Sequence, residues 1–469
     1  MRVVMKLNFY TAIKSGIFLA IIACIDCNAS NIKALFRGVA QWSVLTYIQG
    51  DNNLDPFAYY NVNAMKKGVR ATDQVNVLVQ WDRPNDNKTW RFRITPNEKI
   101  EDDSLSSEMG YNQRQELVDG MQWVVNSYPA LHYGLILWNH GSGIEDYSPG
   151  NRQKRQYYSS WLQLVGTSPE VNAKPAAQSV EPELQAGPEI ELLSEAKSLS
   201  GRGILYDDSQ GTCLTNQDLS DALRDIKGII GRNLDLLGMD ACLMAMFEIC
   251  YEIKDYVDYF VASQEVEPGE GWEYTSMFNA LTTMPTMTPP ELAKIIVTGY
   301  GRYYRKRGDI HDFTMSAFDL SQVTVLDGLL NRIVTMLNES KKFDPHGVKS
   351  TIRKARAVSL EMDIKEYIDM ATLFQELIKR FSDKNRDQQP IFKKRLAYNR
   401  SIKSLRSALH SALAQIDNLI IGNVNGLRRA RARGVSIYYP ASGVIHSSYR
   451  QTAFAQNTSW INFLKQYAQ

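Results

Sequence analysis

The sequence has few cysteines, no excess of one charge and no long apolar run. Its 469 residues include 53 Lys and Arg against 51 Asp and Glu, and a formal net charge of +2 argues against nucleic-acid binding as the main function. No stretch reaches the roughly 18 apolar residues that a transmembrane helix needs, and no repeat of about 20 to 50 residues indicates a solenoid. With 44% hydrophobic residues, the chain has the composition of a globular protein.

Only five cysteines are present, at positions 24, 27, 213, 242 and 250. The first two lie in or beside a predicted N-terminal signal, so three remain for the folded part. Three cysteines do not form a disulfide scaffold in an exported protein of this size, and their odd number leaves at least one thiol free. That free thiol calls for an explanation.

Residues 1–29 are predicted to be an export signal. Three basic residues precede the apolar run Gly16–Ala23, which is too short to span a bilayer. The segment Ile21–Cys24 resembles a bacterial lipobox, in which Cys24 would be lipidated, whereas an ordinary cleavage site follows Ala29. We therefore expect an exported protein, either anchored in the bacterial cell envelope through Cys24 or secreted.

Short apolar segments alternate with longer amphipathic ones, which predicts an α/β fold with helices on both faces of a mainly parallel sheet. The predicted strands are Val44–Ile48, Val75–Gln80, Tyr133–Trp138, Leu234–Leu237, Tyr259–Ala262, Thr314–Phe318 and Val435–Tyr438. The predicted helices are Pro56–Gly68, Ser107–Ser127, Thr215–Ile226, Leu243–Asp255, Pro290–Arg305, Val323–Glu339 and Glu366–Phe381.

One segment, residues 145–202, interrupts this alternation. It is rich in Pro, Gly, Ser, Gln, Ala and Glu, and loops of this length inside a compact domain are usually functional or disordered. We therefore expect an exposed insertion. The predicted division of the chain is 1–29 (signal), 30–144 (first part of the main domain), 145–202 (insertion), 203–320 (second part of the main domain) and 321–469 (helical and strand additions packed on it).

Two motifs follow apolar strands at their carboxyl ends, where catalytic groups of α/β proteins lie. In one, the strand ending at Trp138 delivers His140 into a glycine-rich turn. In the other, Cys242 directly precedes the predicted helix Leu243–Asp255, and a helix N-terminus favours a thiolate. Each residue alone is more simply interpreted as a buried cysteine or a hydrogen-bonded histidine. Together they indicate a cysteine nucleophile with a histidine as its acid and base.

These motifs resemble the clostripain-like cysteine peptidases, which share a clan with caspases, legumains and gingipains. The resemblance covers nearly the whole mature chain and is most specific at His140-Gly141 and Asp240-Ala241-Cys242. It implies a caspase-like α/β/α sandwich around a mainly parallel sheet, with C-terminal α/β additions. Further matching segments are Trp42–Ile48, Asp51–Leu54, Ala262–Glu265, Glu267–Trp272, Ser316–Leu320, Tyr367–Asp369, Gly434–Pro440 and Trp460–Leu464.

The resemblance implies that Cys242 is the nucleophile and that His140 is the general acid and base. Attack of a thiolate on a peptide carbonyl produces an oxyanion, which the backbone N–H groups of Gly141 and Cys242 could hold. No third catalytic residue is evident. The chemistry itself requires no cofactor.

Asp240 is not expected to activate the thiol, since a carboxylate beside the thiol would disfavour the thiolate. It is expected to determine specificity instead. In extended backbone Asp240 and Cys242 lie on one side, so the carboxylate could line the pocket beside the scissile bond and pair with Arg or Lys. A preference for Arg or Lys before the cut is what the resemblance implies. The alternative is that Asp240 caps the following helix. Glu265, Glu267 and Glu270 could add negative potential near this pocket.

Calcium is an expectation of the resemblance alone, because some family members require it. The loop residues Asp51, Asp55, Asp82, Asp207 and Asp208 are oxygen donors. Their spacing matches no compact calcium loop. The sequence therefore predicts no ligand set, and any metal site stays unknown at this level.

The insertion is predicted to be a cleavable loop. Peptidases of the family mature by self-cleavage after a basic residue between the catalytic His and Cys, which the resemblance transfers to this loop. The separation of His140 and Cys242 is about twice the roughly 50 residues of the caspase signature, and the insertion accounts for the excess. Of the basic residues in the loop, Arg152, Lys154 and Arg155 are the expected processing sites.

The sequence thus predicts an exported cysteine endopeptidase that cuts protein or peptide substrates after Arg or Lys and consists of two associated chains after self-cleavage. Two alternatives stay open. One is a non-catalytic surface lipoprotein of the same fold that binds peptides or partners. The other is a transpeptidase that uses the same thioester intermediate. Membrane association is expected only through a lipid anchor, and no nucleic-acid partner is expected.

Overall fold

The computed structural model describes residues 38–84, 87–96, 100–147, 201–383 and 392–468. The predicted signal with Cys24 and the basic residues Arg152, Lys154 and Arg155 lie outside the described residues. Within these described ranges, no helix has the length and apolarity that crossing a membrane requires.

The strands, in chain order, fall into a large central sheet and two small ones. They are β1 (Ala40–Gln49), β2 (Val75–Asp82), β3 (Trp90–Ile94), β4 (Ile100–Asp102), β5 (Ala130–Trp138), β6 (Gly141–Tyr147), β7 (Gly201–Asp207), β8 (Thr212–Leu214), β9 (Leu234–Asp240), β10 (Val257–Ala262), β11 (Thr314–Asp319), β12 (Tyr367–Asp369), β13 (Ile420–Asn425) and β14 (Ser436–Tyr438).

The helices connect these strands and cover the sheet. They are α1 (Asp55–Gly68), α2 (Gln113–Ser127), α3 (Asn216–Ile230), α4 (Phe247–Ile253), α5 (Tyr274–Thr283), α6 (Pro289–Arg307), α7 (Val323–Lys341), α8 (Pro345–Arg356), α9 (Met370–Asp383), α10 (Phe392–Leu419), α11 (Ala453–Asn457) and α12 (Trp460–Tyr467).

The central sheet is parallel in its middle and antiparallel at both edges. Its strand order is β13-β11-β10-β9-β5-β1-β2-β3-β4. The five strands from β10 to β2 pair in parallel, whereas β2–β3, β3–β4, β10–β11 and β11–β13 are antiparallel. The carboxyl ends of the five parallel strands therefore meet at one edge of the sheet, where α/β proteins place their sites.

Side chains of the central strands alternate between two hydrophobic cores, one on each face. In β1, Trp42 and Val44 pack in a core with residues of α1, α5 and α6, whereas Leu45 and Tyr47 pack in a core with α2, α3, α4, α7, α9 and α10. Both faces of the sheet are thus covered by helices. The fold is the α/β/α sandwich that the sequence predicts.

All seven predicted strands are present, but several helix boundaries differ. The predicted helix Ser107–Ser127 begins at Gln113, because the side chain of Asn112 caps it by accepting from the Gln115 N–H. The predicted helix Glu366–Phe381 begins at Met370. The residues before it form β12, which pairs with β14.

The C-terminal part packs directly against the segment that follows β9. The backbone N–H of Ser436 donates to the carbonyl of Ala245 over 2.9 Å, and the N–H of Tyr438 donates to the buried Glu248 carboxylate over 2.9 Å. The Tyr367 hydroxyl donates to the carbonyl of Ser142 over 2.7 Å. The C-terminal additions therefore support the two loops in which the candidate catalytic residues lie.

Candidate active site

His140 and Cys242 are brought together by two neighbouring parallel strands. Trp138 at the end of β5 is paired in register with Asp240 at the end of β9. Each candidate residue lies two positions beyond its member of this pair, and both line one cleft at the carboxyl edge of the sheet. The register of β5 and β9 therefore places the predicted nucleophile and base in the same site.

The backbone around Cys242 is a loop and not the start of a helix, which corrects the sequence prediction. Helix α4 begins only at Phe247. In the intervening segment Leu243 has a φ of 66°, its N–H donates to the carbonyl of Glu265 (3.2 Å), and the Ala245 N–H donates to the carbonyl of Ser263 (2.8 Å). A helix dipole consequently does not act directly on the thiol.

The Cys242 thiol is buried, with 8% of the residue exposed. Burial raises its pKa well above the ordinary value, and the Glu267 N–H, which donates to Sγ over 3.3 Å, only partly opposes this effect. The surroundings of the thiol therefore do not favour the thiolate that the sequence predicts. Burial thus favours the protonated form of the thiol.

His140 is half-buried and is held by two asparagines. Its Nε2 lies 2.8 Å from Oδ1 of Asn53, and its backbone N–H donates to Oδ1 of Asn139. Asn139 also donates to the carbonyls of Gln49 and Tyr206, which fixes the histidine loop against β1 and β7. Burial lowers the pKa of His140 to about 4, so the imidazole is neutral at pH 7.

Gly141 lies against the backbone of Cys242. A Cβ at position 141 would lie 2.5 Å from the Cys242 carbonyl oxygen and 3.0 Å from the Met244 side chain, so only glycine fits there. The two backbones predicted to form the oxyanion site are therefore adjacent. Their role in holding an oxyanion stays a prediction.

Asp240 lies in the wall of the cleft and does not cap a helix, so the capping alternative is wrong. Its Oδ2 accepts from the backbone N–H of Trp272 (3.1 Å) and from the Tyr274 hydroxyl (2.7 Å). Gly271, with a φ of 62°, passes so close that a Cβ there would be 2.7 Å from the same oxygen. These contacts fix the position of the carboxylate.

Glu267 is the second acid of the cleft wall, and it is the one glutamate of the predicted three that lines the cleft. Its Oε1 accepts from the Ala241 N–H over 3.3 Å. Burial raises the pKa of Glu267, and the neighbouring charge of Asp240 raises it further. The pKa of Asp240 is also raised, chiefly by burial. The two carboxyl groups thus hold a proton above the usual carboxyl range.

The other two glutamates are neutralised by arginines of the chain. The Glu265 carboxylate pairs with Arg429 at 2.9 Å, and Glu270 pairs with Arg307. No Lys or Arg among the described residues pairs with Asp240 or Glu267. The cleft therefore contains two acidic groups without a built-in cation.

The fold separates the five candidate calcium ligands. Asp51, Asp82 and Asp207 meet in one buried cluster, whereas Asp55 pairs with Arg83 at 3.3 Å. Asp208 is not part of the cluster. The sequence could not predict this grouping, because the three residues lie at the ends of three different strands.

The buried thiol, the imidazole and the acidic cleft at the carboxyl edge of the sheet are the arrangement that the sequence analysis predicts for a cysteine peptidase. The profile of the clostripain family matches residues 46–158 and 192–467. The chain therefore belongs to the clostripain family of cysteine peptidases.

Individual proteins are similar to this chain in sequence or in fold. Clostripain from Hathewaya histolytica is 23% identical over 381 residues, which is 70% of this chain, and the chain spans 61% of the length of that relative. A secreted C11 cysteine protease from Bacteroides thetaiotaomicron has the same fold, with a TM-score of 0.57 and 17% identity over 90% of this chain and 100% of that one. An inactive zymogen C11 protease from Parabacteroides distasonis has a TM-score of 0.52 and 17% identity over 92% and 99% of the two chains.

Proposed function

We propose that this chain is an exported cysteine endopeptidase that cleaves peptide bonds after Arg or Lys and matures by cutting itself between His140 and Cys242. One observation carries the proposal: adjacent strand ends place Cys242 and His140 in a cleft whose wall holds Asp240 and Glu267. Export is inferred from the N-terminal signal pattern and from a relative described as secreted.

The reaction begins from the neutral thiol and the neutral imidazole. His140 removes the Sγ proton as the Cys242 sulfur attacks the carbonyl carbon, and the carbonyl oxygen becomes an oxyanion. The backbone N–H groups of Gly141 and Cys242 stabilise that charge. His140 then gives its proton to the amine as the C–N bond breaks, which leaves a thioester on Cys242. Water attacks the thioester carbonyl with His140 again as base, the C–S bond breaks and releases the carboxylic acid, and His140 returns the proton to the Cys242 sulfur.

Specificity for a basic side chain follows from the two unpaired acids. Asp240 and Glu267 are 5% exposed each and share a cleft that contains no cation of the chain within the described residues. Buried carboxylates without a cation beside them are costly, and a guanidinium or ammonium group from the substrate would supply the missing positive charge. A planar guanidinium suits two carboxylates best, because it donates in a fork.

Hydrolysis of short reporter peptides tests the proposal most directly. We expect the wild-type protein to cleave reporters with Arg or Lys before the scissile bond, and to leave a matched Asp reporter intact. The same preparation carrying Cys242→Ala should cleave none of them. Equal rates on the Arg and Asp reporters would contradict the assignment of the acidic cleft, and no hydrolysis of any reporter by the fully processed protein would contradict the peptidase.

The pH dependence should separate the cleft from the catalytic pair. The raised carboxyl pKa values mean that Asp240 and Glu267 take up protons above the usual carboxyl range of about 4, and a protonated carboxyl no longer attracts a cation. His140 stays neutral in the same interval, because its pKa is lowered. For an Arg reporter, kcat/KM should therefore fall between neutrality and pH 5. A citrulline reporter of the same shape but without charge should lose activity at lower pH. Superimposable profiles would contradict this division of roles.

Self-cleavage should produce two chains that stay associated. Strand β6 ends at Tyr147, before the loop, and strand β7 begins at Gly201, after it. The two strands pair antiparallel, so both sides of the cut remain in one sheet. Gel electrophoresis under denaturing conditions and N-terminal sequencing should find a new N-terminus after Arg152, Lys154 or Arg155, and size exclusion should find one particle.

Variants distinguish self-cleavage from cleavage by another protease. Cys242→Ala should remain a single chain, and a triple Arg152→Gln, Lys154→Gln, Arg155→Gln variant should be cut slowly or elsewhere, whereas the control Lys197→Gln should be processed normally. Cleavage of the Cys242→Ala protein at the same bond would assign processing to another enzyme.

A further inference from the structure

The hydrogen bond between His140 and Asn53 fixes which nitrogen of the imidazole can act as a base. Nε2 of His140 lies 2.8 Å from Oδ1 of Asn53. An amide oxygen only accepts hydrogen bonds, so the single proton of the neutral ring is on Nε2. The lone pair that can take up a further proton is then on Nδ1. Either nitrogen could serve in the reaction described above, and this contact selects Nδ1.

Both partners of this hydrogen bond follow asparagines that hold the same two carbonyl groups. Nδ2 of Asn52 donates to the carbonyls of Gln49 (3.1 Å) and Tyr206 (2.8 Å). Nδ2 of Asn139 donates to the same two carbonyls, with a distance of 2.9 Å to that of Tyr206. All four residues are buried. The loop after β1 and the loop after β5 are therefore attached to one point between β1 and β7, which holds the amide and the imidazole in contact.

The turn that carries Asn53 does not depend on the Asn53 side chain. The Asn52 N–H donates to the carbonyl of Gly50 (2.7 Å), and the Leu54 N–H donates to Oδ1 of Asn52 (2.8 Å). The exposed side chain of Asn53 hydrogen-bonds to His140 and to no other residue in the described part of the chain. A substitution at this position is therefore expected to remove that contact and leave the turn folded.

We propose that Asn53 is a positioning residue: it holds His140 with the proton on Nε2, so that Nδ1 removes the proton from the Cys242 sulfur. This inference rests on the proposed function, in which Cys242 is the nucleophile and His140 its acid and base. A Cys-His-Asn set in proteases of an unrelated fold shows that an amide is a sufficient partner for a catalytic imidazole.

Nε2 keeps its proton throughout the reaction. Nδ1 takes the proton from Sγ as the sulfur–carbon bond forms, and the ring becomes an imidazolium whose Nε2–H still donates to Asn53. Nδ1 then gives that proton to the amine as the C–N bond breaks. In hydrolysis of the thioester, Nδ1 takes a proton from water and returns it to Sγ as the C–S bond breaks. Asn53 does not line the cleft, so it acts through His140 and not on the substrate.

Asn53→Ala tests the positioning role. On the Arg reporter, kcat should fall at least about tenfold, because the imidazole loses its orientation and its fixed tautomer. KM should change by less than about twofold, because the contact is not part of the cleft. Rates are compared between preparations with the same chain pattern on a denaturing gel. A folded variant with less than about a threefold loss of kcat would overturn the proposal.

The matched control removes an asparagine far from the cleft. Asn126 lies on the exposed face of α2, where its Oδ1 accepts from Nε2 of Gln122 over 2.9 Å. Asn126→Ala should keep the wild-type kcat and KM on the same reporter. A loss of kcat in this control as large as in Asn53→Ala would contradict a specific role of Asn53.

Asn53→Asp separates positioning of the imidazole from a structural role. The carboxylate keeps an acceptor for Nε2, but its charge should raise the pKa of His140, which burial lowers to about 4, by about one unit or more. A charged imidazole cannot take the thiol proton. The acidic limb of kcat/KM should therefore move to higher pH on the citrulline reporter, which has no charge for Asp240 and Glu267 to attract. An acidic limb at the wild-type pH would refute the proposal.

Imidazole ¹⁵N NMR measures the tautomer without reference to catalysis. The signal that is absent from His140→Ala identifies His140 among the six histidines. At neutral pH the wild-type ring should be protonated on Nε2, whereas Asn53→Ala should show a mixture of tautomers. A wild-type ring protonated on Nδ1 would overturn the proposal. A wild-type protein that hydrolyses no reporter would refute the peptidase itself, whereas an active wild type with unaffected Asn53 variants would refute only the positioning role.

Discussion

We expect Cys242→Ala to abolish peptide hydrolysis and His140→Ala to lower kcat/KM by at least about a hundredfold. Cys242 is the one cysteine that lines the described cleft, so its removal leaves no sulfur to form the thioester. The loss in His140→Ala corresponds to the lower end of general acid–base contributions, and it should be large here because burial favours the protonated thiol, which needs a base. Initial rates on an Arg reporter measure both effects.

The two other cysteines of the folded part serve as matched controls. Cys250 is fully buried within α4, and Cys213 lies half-buried in β8, and neither lines the cleft. Cys213→Ala and Cys250→Ala should therefore retain activity. Wild-type turnover by Cys242→Ala, or an inactive but folded Cys213→Ala or Cys250→Ala protein, would show that the wrong thiol has been chosen.

Asp240→Asn should reduce kcat/KM on Arg and Lys reporters by at least about 30-fold, because removing one partner of a buried charge pair costs about 2 kcal/mol or more. The asparagine keeps one oxygen for the Trp272 N–H and the Tyr274 hydroxyl, so the wall of the cleft should stay folded. The citrulline reporter should lose much less. Parallel kinetics on the three reporters measure the change in specificity.

Two controls separate specificity from a general loss of activity. Asp235→Asn makes the same substitution at the opposite end of β9, where the carboxylate pairs with Arg232 at 2.7 Å, and it should leave the preference for Arg unchanged. The thiol of Asp240→Asn should still react with iodoacetamide, which is small and does not require the cleft carboxylates. Unchanged kinetics of Asp240→Asn on the Arg reporter would refute the role of Asp240 in specificity.

Local sequence patterns predict the strands and the two motifs well. Near-continuous apolar segments are sufficient to find β1, β2, β5, β9 and β10, because both faces of a central parallel strand are buried. The same patterns miss the short edge and loop strands and the 28-residue helix α10, whose apolar periodicity is weaker.

The helix predicted after Cys242 shows where local patterns fail. The residues from Leu243 to Met246 have the apolar composition of a helix start, but their backbone groups bond to Glu265, Ser263 and Ser436 instead. Tertiary hydrogen bonds thus replace the first helical turn, and they set the loop in which the thiol is buried. The same burial reverses the expected effect on the thiol pKa.

The sequence by itself determined the α/β class, the resemblance to clostripain-like peptidases and the identities of His140 and Cys242 as candidates, because each depends on residues that are close in the chain. The tertiary structure decided which strand ends meet. It placed Glu267 beside Asp240 in the cleft and paired Glu265 and Glu270 with arginines. It also brought three distant aspartates into one cluster. These facts depend on strand register and on the burial of charge, and both are properties of the assembled sheet that no short segment of sequence contains.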